Sequence, residues 1–260
     1  MAFIDFLALE EGLLLISAVI VAYVALSVWF LMRRNDAAGV TSALRSGAVP
    51  IGALGITATA LSLWAETTWP FPNFPGTRML SYNILFTDVY LLFGLTLLVL
   101  AVTMAFRLKL AYAGMFAFVA GAITAGYGWN GYILKFTLDP LETLLLYLAF
   151  AGVGIFAFPA TIMVDHFLAH PDGTAFASST SVPVARSRPS FQGASRAAQP
   201  VVPGIVSDGA EEPETPVAKF HLPFYVTAYA WFFVVVVGLA GYAAYAYLLA
   251  TLPGHLMAAP

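Results

Sequence analysis

Carboxylates gather at the ends of apolar segments in a sequence that carries few charges elsewhere. Asp88 lies near the front of the apolar run that begins SYNILFTDVY, Glu66 closes the apolar segment before it, and Glu142 opens a later one. An ionisable group within a membrane span costs free energy unless it is paired, which makes it a candidate functional residue. The three carboxylates predict either an outward-facing vestibule that binds a cation or a structural network in which they pair with Arg78.

The role of Asp88 depends on where its helix begins. A start near Tyr82 would place Asp88 inside the helix, immersed in the membrane and available to bind a solute or to handle a proton. A start at Val89 would make Thr87 or Asp88 the N-cap, because such side-chain oxygens accept hydrogen bonds from backbone N–H groups at a helix N-terminus. Residues 89–106 would still span about 27 Å at 1.5 Å per residue. Both alternatives therefore stay open.

Histidines form a second candidate site, at the opposite predicted membrane level. His166 and His170 are four residues apart and share one helix face, and His221 stands at the start of the last apolar segment. Imidazoles at this spacing can hold a metal ion, with Asp165 as a carboxylate ligand, and facing histidines can bind haem. The alternative is that these histidines lie at the interface without any ligand. The sequence requires no cofactor.

Several function classes are excluded or disfavoured. The absence of cysteine excludes disulfides, thiolate metal sites, Fe–S clusters and cysteine nucleophiles. The sequence contains no GxSxG, HExxH or GxxxxGK[ST] motif, and its glycine clusters lack a Rossmann context. A net charge of −3 gives no sign of a nucleic-acid-binding surface. These observations favour a protein that is not an enzyme.

The elements that must position these residues are membrane spans. The chain is 60% hydrophobic and 10% charged, with a mean hydropathy of +0.85, which indicates an integral membrane protein in contact with the lipid bilayer. A helix needs about 20 apolar residues to cross the hydrocarbon core. The sequence predicts an all-α polytopic bundle of six transmembrane helices, at residues 13–32, 48–65, 84–106, 110–127, 141–164 and 222–249.

The predicted organisation has three parts. Residues 1–170 form the five-helix part of the bundle, and residues 220–260 hold the sixth helix and a short external tail. Residues 171–219 are rich in Pro, Ser, Ala and Gly, so they cannot bury enough surface to offset their chain entropy and are predicted to be a disordered cytoplasmic loop.

Basic residues set the predicted orientation. Under this topology only Arg78 and Lys135, of 11 basic residues, fall on the side of the termini. The positive-inside rule therefore places both termini outside and the long loop in the cytoplasm. The expected location is the cytoplasmic membrane of a prokaryote.

Small residues recur at helical spacing within the predicted spans. Ala113, Ala117, Gly121 and Ala125 follow one another at intervals of four in the fourth span. Such a ridge lets a neighbouring helix approach closely in lipid. It predicts a compact bundle, and it also offers a surface on which partner subunits or a second copy of the chain could dock.

One stretch resembles a known family. The segment SLWAETTWPFPNFPGTRMLSYNILFTDVYLLFGLTL, residues 62–97, is similar to DUF981, a family of small multi-span prokaryotic membrane proteins without an established activity. The resemblance is general over the rest of residues 1–165. It implies a fold and no catalytic residues, and it implies that one motif contains Trp69, Pro70, Gly76, Tyr82, Asn83 and Asp88.

Three functional hypotheses follow. The first is a non-enzymatic protein that binds or conducts a small solute or ion through the outer carboxylates, with Tyr82, Asn83 and Arg78 as further binding residues. The second is an accessory subunit of a larger membrane complex, for example a respiratory one. The third is a membrane-embedded metal or haem redox enzyme that uses the cytoplasmic-side histidines.

Overall fold

The fold is helical throughout the part of the chain that the structure describes. The computed structural model describes residues 6–68, 84–137, 139–170 and 223–257. Six of its helices are long and apolar enough to cross a membrane. The predicted all-α fold with six spans is therefore confirmed. The predicted loop at 171–219 lies outside the described residues.

Most of the helices are longer than the apolar segments predicted from the sequence. α1 begins at Phe6 rather than near residue 13, and α2 begins near residue 37 rather than 48, because a helix continues past the apolar window for as long as its backbone hydrogen bonds close internally. A π-helical turn at Ile84–Asp88 leads directly into α3. The bounds are α1 Phe6–Arg33, α2 Ala37–Thr68, α3 Val89–Ala105, α4 Leu110–Ile133, α5 Pro140–Ala169 and α6 Phe224–Met257.

The six helices form a closed ring. Each helix packs against the next one along the chain, and α6 packs back against α1. Neighbours run in opposite directions: Asp88 at the start of α3 bonds Tyr127 near the end of α4, and Thr143 at the start of α5 lies 3.4 Å from Tyr247 near the end of α6. One end of the ring carries Glu10, Glu66 and Asp88, and we call it the carboxylate end.

Three short connections share one turn geometry. Asn35, Arg107 and Lys135 end α1, α3 and α4 with φ values of 57°, 56° and 51°. In each turn the next residue's N–H bonds a carbonyl five positions earlier, as in Leu108 N to Thr103 O at 2.9 Å. These are Schellman caps, which satisfy the last carbonyls of a helix and reverse the chain.

The predicted small-residue ridge packs inside the molecule. A Cβ placed on Gly121 of α4 would lie 2.7 Å from the carbonyl oxygen of Ala151 in α5, and one on Gly154 of α5 would lie 2.5 Å from that of Ala117. The backbones of α4 and α5 can approach this closely only because both positions are glycine. α5 of the same chain therefore covers this ridge. The ridge is then no longer a reason to expect that another subunit docks there.

Candidate binding site

The chain is already helical for five residues before Val89, where α3 begins. Residues 84–88 form the π-helical turn, and Asp88 itself has helical angles, with φ −60° and ψ −46° and no capping hydrogen bond from its side chain. The chain is therefore helical before Val89, and the Asp88 side chain does not make the capping hydrogen bond that the second alternative predicted. Single π-helical turns are frequent at functional sites, because they change the direction in which side chains point.

Two of the predicted site carboxylates meet beside this turn. The Tyr127 hydroxyl of α4 donates to Asp88 Oδ2 over 2.8 Å, and the Thr87 hydroxyl donates to Glu66 Oε1 at the end of α2. Glu66 also lies within electrostatic range of Tyr127. Both carboxylates are half-buried, and each accepts a hydrogen bond from a neighbouring helix or turn. The arrangement joins α2, the π-helical turn and α4.

The other predicted members of this site lie apart or are not described. Glu142 is exposed in the first turn of α5, and no described residue forms an ion pair or hydrogen bond with it. Tyr82, Asn83 and Arg78 lie outside the described residues. Whether they join the site therefore remains a prediction.

Further hydroxyl groups tie α5 to its neighbours at the same end. The buried Tyr147 hydroxyl donates to the Leu85 carbonyl of the π-helical turn over 2.6 Å. The Thr143 hydroxyl lies 2.9 Å from that of Thr137. The first contact holds the π-helical turn against α5, and the second ties the start of α5 to the connection that precedes it.

Glu10 and Glu11 are the acids that sequence reasoning left out of the site. Each is only 2% exposed, because α1 starts early enough to carry both into the bundle. Glu10 lies within electrostatic range of Tyr90 and Tyr147. The available signal was a pair of acids directly before an apolar run, and the predicted start of α1 near residue 13 left both outside the membrane.

A cavity of about 270 Å³ lies between the helices of the ring, with residues from all six helices in its wall. The wall reaches from Glu10 at the carboxylate end to Met32 at the other, which corresponds to about 33 Å along α1 at 1.5 Å per residue. Among the described residues, Glu10 and Glu11 are the only charged side chains in it. The cavity is a long apolar space with a polar end.

Most hydroxyl groups of this wall are already hydrogen-bonded. Backbone carbonyls accept hydrogen bonds from Ser17, Thr96, Thr124, Tyr147, Thr161 and Tyr229. Glu10 Oε1, the Tyr90 hydroxyl and Trp29 Nε1 are buried in the wall and lack a hydrogen-bond partner in the described structure. Buried polar groups are rarely left unpaired, so these three atoms are where a bound molecule would gain hydrogen bonds.

The predicted histidine site is only partly described. The His166 and His170 rings lie 4.7 Å apart at the end of α5, and both are exposed. His221 lies outside the described residues. Within the described ranges, no group of three or more His, Cys, Asp or Glu side chains is placed to hold a metal ion. A metal or haem site at these histidines remains a prediction.

Asp165, the proposed carboxylate ligand, has a structural role. Its two oxygens accept hydrogen bonds from the backbone N–H groups of Leu110 at 3.0 Å and Ala111 at 2.8 Å. These N–H groups belong to the first turn of α4, which has no intrahelical acceptors for them. Asp165 of α5 therefore caps α4 from outside, and the helix dipole favours its negative charge.

Comparison with known proteins identifies the family of this chain but no activity. No curated protein and no solved structure matches the chain. The family model described as "Protein of unknown function (DUF981)" matches residues 1–172. This match contains α1 to α5, and it extends far beyond the segment at 62–97 that carries the specific resemblance. The chain belongs to the DUF981 family.

Proposed function

We propose that this multi-pass membrane protein is not an enzyme and that it binds a small, largely apolar solute inside its helical ring. The solute enters from the carboxylate end, where Asp88 ends the π-helical turn and Glu66 bonds Thr87 of the same turn. One observation carries the proposal: six helices close around a cavity of about 270 Å³ instead of filling it with side chains. Protein interiors are normally close-packed, so an unfilled space of this size between helices is a candidate binding site.

Binding fits this cavity better than conduction of an ion. Beyond Glu10 and Glu11, the described wall offers an ion apolar groups, hydroxyls that already donate to carbonyls, and only two polar groups without a partner there, the Tyr90 hydroxyl and Trp29 Nε1. A charge in such surroundings is costly, and a conducting path needs polar groups along its whole length. Apolar molecules gain from leaving water for this space in proportion to the surface they bury.

The proposed orientation in the membrane rests on the distribution of basic residues. Arg33, Arg45 and Arg107 lie at the end of the ring opposite Glu66 and Asp88. The positive-inside rule then assigns the carboxylate end to the outer face of a prokaryotic cytoplasmic membrane. Solutes would reach the cavity from outside the cell.

Ligand-dependent thermal unfolding of the full chain in a nonionic maltoside detergent tests this function. Decanol is a suitable first probe, and it should raise the midpoint of unfolding of the wild type. Ala157 is half-buried in the cavity wall, so Ala157→Leu should fill space and reduce the shift. Ala122→Leu adds the same atoms on an exposed face of α4 and should leave the shift unchanged.

Two outcomes would contradict the proposal. One is a wild-type midpoint that does not respond to decanol or to other apolar molecules of similar size. The other is an equal loss of the shift in both variants, which would place the probe on the outer surface of the protein. Because the detergent is common to all samples, its own effect cancels in the comparison.

The accessory-subunit hypothesis remains a prediction. The small residues of α4 that suggested it pack against α5. Gly238 of α6 is different, because a Cβ there would meet nothing within 4 Å. Purification in mild detergent with mass spectrometry of any associated chains tests this hypothesis directly.

A further inference from the structure

The polar end of the cavity has an acceptor without a donor. Glu10 is 2% exposed, and its Oε1 lacks a hydrogen-bond partner among the described residues. The nearby Tyr90 is 4% exposed, and its hydroxyl is also without a partner there. Both side chains line the cavity, on α1 and on α3. Two polar groups from different helices, both without a partner among the described residues, thus line the same cavity.

Leaving these groups unpaired is costly. A buried polar group that lacks its hydrogen bond loses about 1–3 kcal/mol, and a charged group loses more. The remaining hydroxyls of the wall cannot relieve Glu10, because they donate to backbone carbonyls of their own helix or of a neighbour. A donor supplied by a bound molecule would remove this cost.

We propose that the ligand is an elongated amphiphile with one cationic hydrogen-bond donor, such as an ammonium group, held by the Glu10 carboxylate with the Tyr90 hydroxyl beside it. The apolar tail lies along the cavity towards the opposite end of α1. This inference rests on the proposed function, because it concerns the same cavity and adds the chemical class of its ligand.

The charge distribution selects a cationic end group. Glu10 and Glu11 lie in the cavity wall, and Glu66 and Asp88 lie at the same end of the ring. Among the described residues, no lysine or arginine lines the cavity, and Lys135, at this end, is exposed. An anionic end group would meet like charges in surroundings of low dielectric constant. An uncharged one would gain only a weaker hydrogen bond at Glu10, because a hydrogen bond between an ammonium and a carboxylate is stronger than one between neutral groups.

A bare metal ion fits less well than an organic cation. Hard cations take six or more oxygen ligands, and the described residues provide no group of three metal-binding side chains here. An ion would also leave the long apolar part of the cavity unoccupied. An ammonium group on an alkyl chain uses both parts of the cavity.

Binding of three probes with equal chain length tests the inference. Decylammonium, decanol and decanoate are compared at pH 7 by equilibrium dialysis of the full chain, with maltoside micelles on both sides of the membrane so that partitioning into detergent cancels. Decylammonium should bind at least about tenfold more tightly than decanol or decanoate, as expected for one hydrogen bond to a charged group. Equal affinities for decylammonium and decanol would overturn the inference.

Three single substitutions test which side chain causes the preference for decylammonium. Glu10→Gln keeps the size of the side chain and removes its charge, so it should abolish the preference for decylammonium. Tyr90→Phe should lower the affinity for decylammonium by a smaller factor, about threefold. Asp139→Asn removes a charge from an exposed position at the same end and should leave the preference intact. An unchanged preference in Glu10→Gln would overturn the role of Glu10.

The outcomes separate this inference from the proposed function. If all three probes bind with similar affinity, the cavity is a binding site without a cation-selective end, and only the inference fails. If none of the probes binds, both proposals fail. The comparison of probes on the wild type decides the matter even if Glu10→Gln does not yield a folded, monodisperse protein.

Discussion

At the scale of single residues, hydroxyl donors from neighbouring helices determine the environment of the carboxylates. Asp88 accepts from Tyr127 and Glu66 accepts from Thr87, whereas one oxygen of Glu10 has no donor among the described residues. A carboxylate that accepts a hydrogen bond across a helix interface stabilises that interface. One whose oxygen stays unpaired in a cavity is available to a ligand. The difference supports a structural role for the first pair and is the basis of the binding role proposed for Glu10.

Tyr127→Phe tests the structural role of Asp88. The substitution removes only the hydroxyl that bonds Asp88, so the free energy of unfolding should fall by about 1.5–3 kcal/mol, the range for a hydrogen bond to a charged group. Thermal unfolding in maltoside detergent measures the change. Tyr112→Phe is the control, because Tyr112 is 66% exposed on the same helix. An equal response of the two variants would contradict the role assigned to this bond.

The sequence identifies these residue types but not their partners. Asp88 and Glu66 are conspicuous in apolar surroundings, and both accept hydrogen bonds at the carboxylate end. Tyr127 is 39 positions from Asp88, and nothing local indicates that their helices meet. The sequence does not predict the π-helical turn either, because ILFTD has no feature that excludes a regular α-helix. Pairing between distant helices depends on the packing of the whole ring.

At the scale of elements, glycine determines how closely α4 and α5 approach. Gly121 and Gly154 face each other across this interface, and each has backbone atoms of the other helix within the space that a side chain would need. Gly126 lies on the same helix as Gly121, and a Cβ there would meet nothing within 4 Å. The two glycines of α4 therefore have opposite expected responses to substitution.

Gly121→Ala should destabilise the protein, and Gly126→Ala should stabilise it. The added methyl at Gly121 would overlap the Ala151 carbonyl, and overpacking of this kind typically costs about 1–3 kcal/mol. At Gly126 the methyl has room, so the gain should be about 0.5–1 kcal/mol from the lower entropy of the unfolded chain. Thermal unfolding of both variants measures this contrast. Destabilisation of equal size at both positions would show that α4 and α5 do not pack at Gly121.

The N-terminus of α4 depends on a residue from α5. Asp165→Ala leaves the N–H groups of Leu110 and Ala111 without their acceptor, which should cost about 0.5–2 kcal/mol, the range for a lost N-cap. Asp139 precedes α5 but makes no capping hydrogen bond, so Asp139→Ala is the matched control and should be nearly neutral. Hydrogen exchange of the first turn of α4 would show the local effect. No increase in exchange in Asp165→Ala would contradict the cap.

At the scale of the whole molecule, α6 completes the ring although it lies outside the family match at residues 1–172. It packs against both α1 and α5, and residues of α6 such as Val237 and Ala240 contribute to the cavity wall. Apolar runs were enough to predict six helices. Closure of the ring could not be predicted, because the ring closes through contacts between the first and the last helix, which are more than 200 positions apart at Ala18 and Gly241.

Closure of the ring can be tested with one engineered disulfide, because the chain contains no cysteine of its own. A Cβ on Gly241 would lie 3.1 Å from the Cβ of Ala18, close to the separation of about 3.5–4.5 Å found in disulfides. Ala18→Cys combined with Gly241→Cys should therefore cross-link on mild oxidation. With a protease site inserted near residue 200, the cleaved fragments should remain joined on a non-reducing gel.

Ala18→Cys combined with Gly238→Cys is the control, since Gly238 faces open space, and it should give separate fragments. Fragments that separate in both cases would show that α1 and α6 do not meet, and the enclosed cavity would then lose the helix that completes its wall.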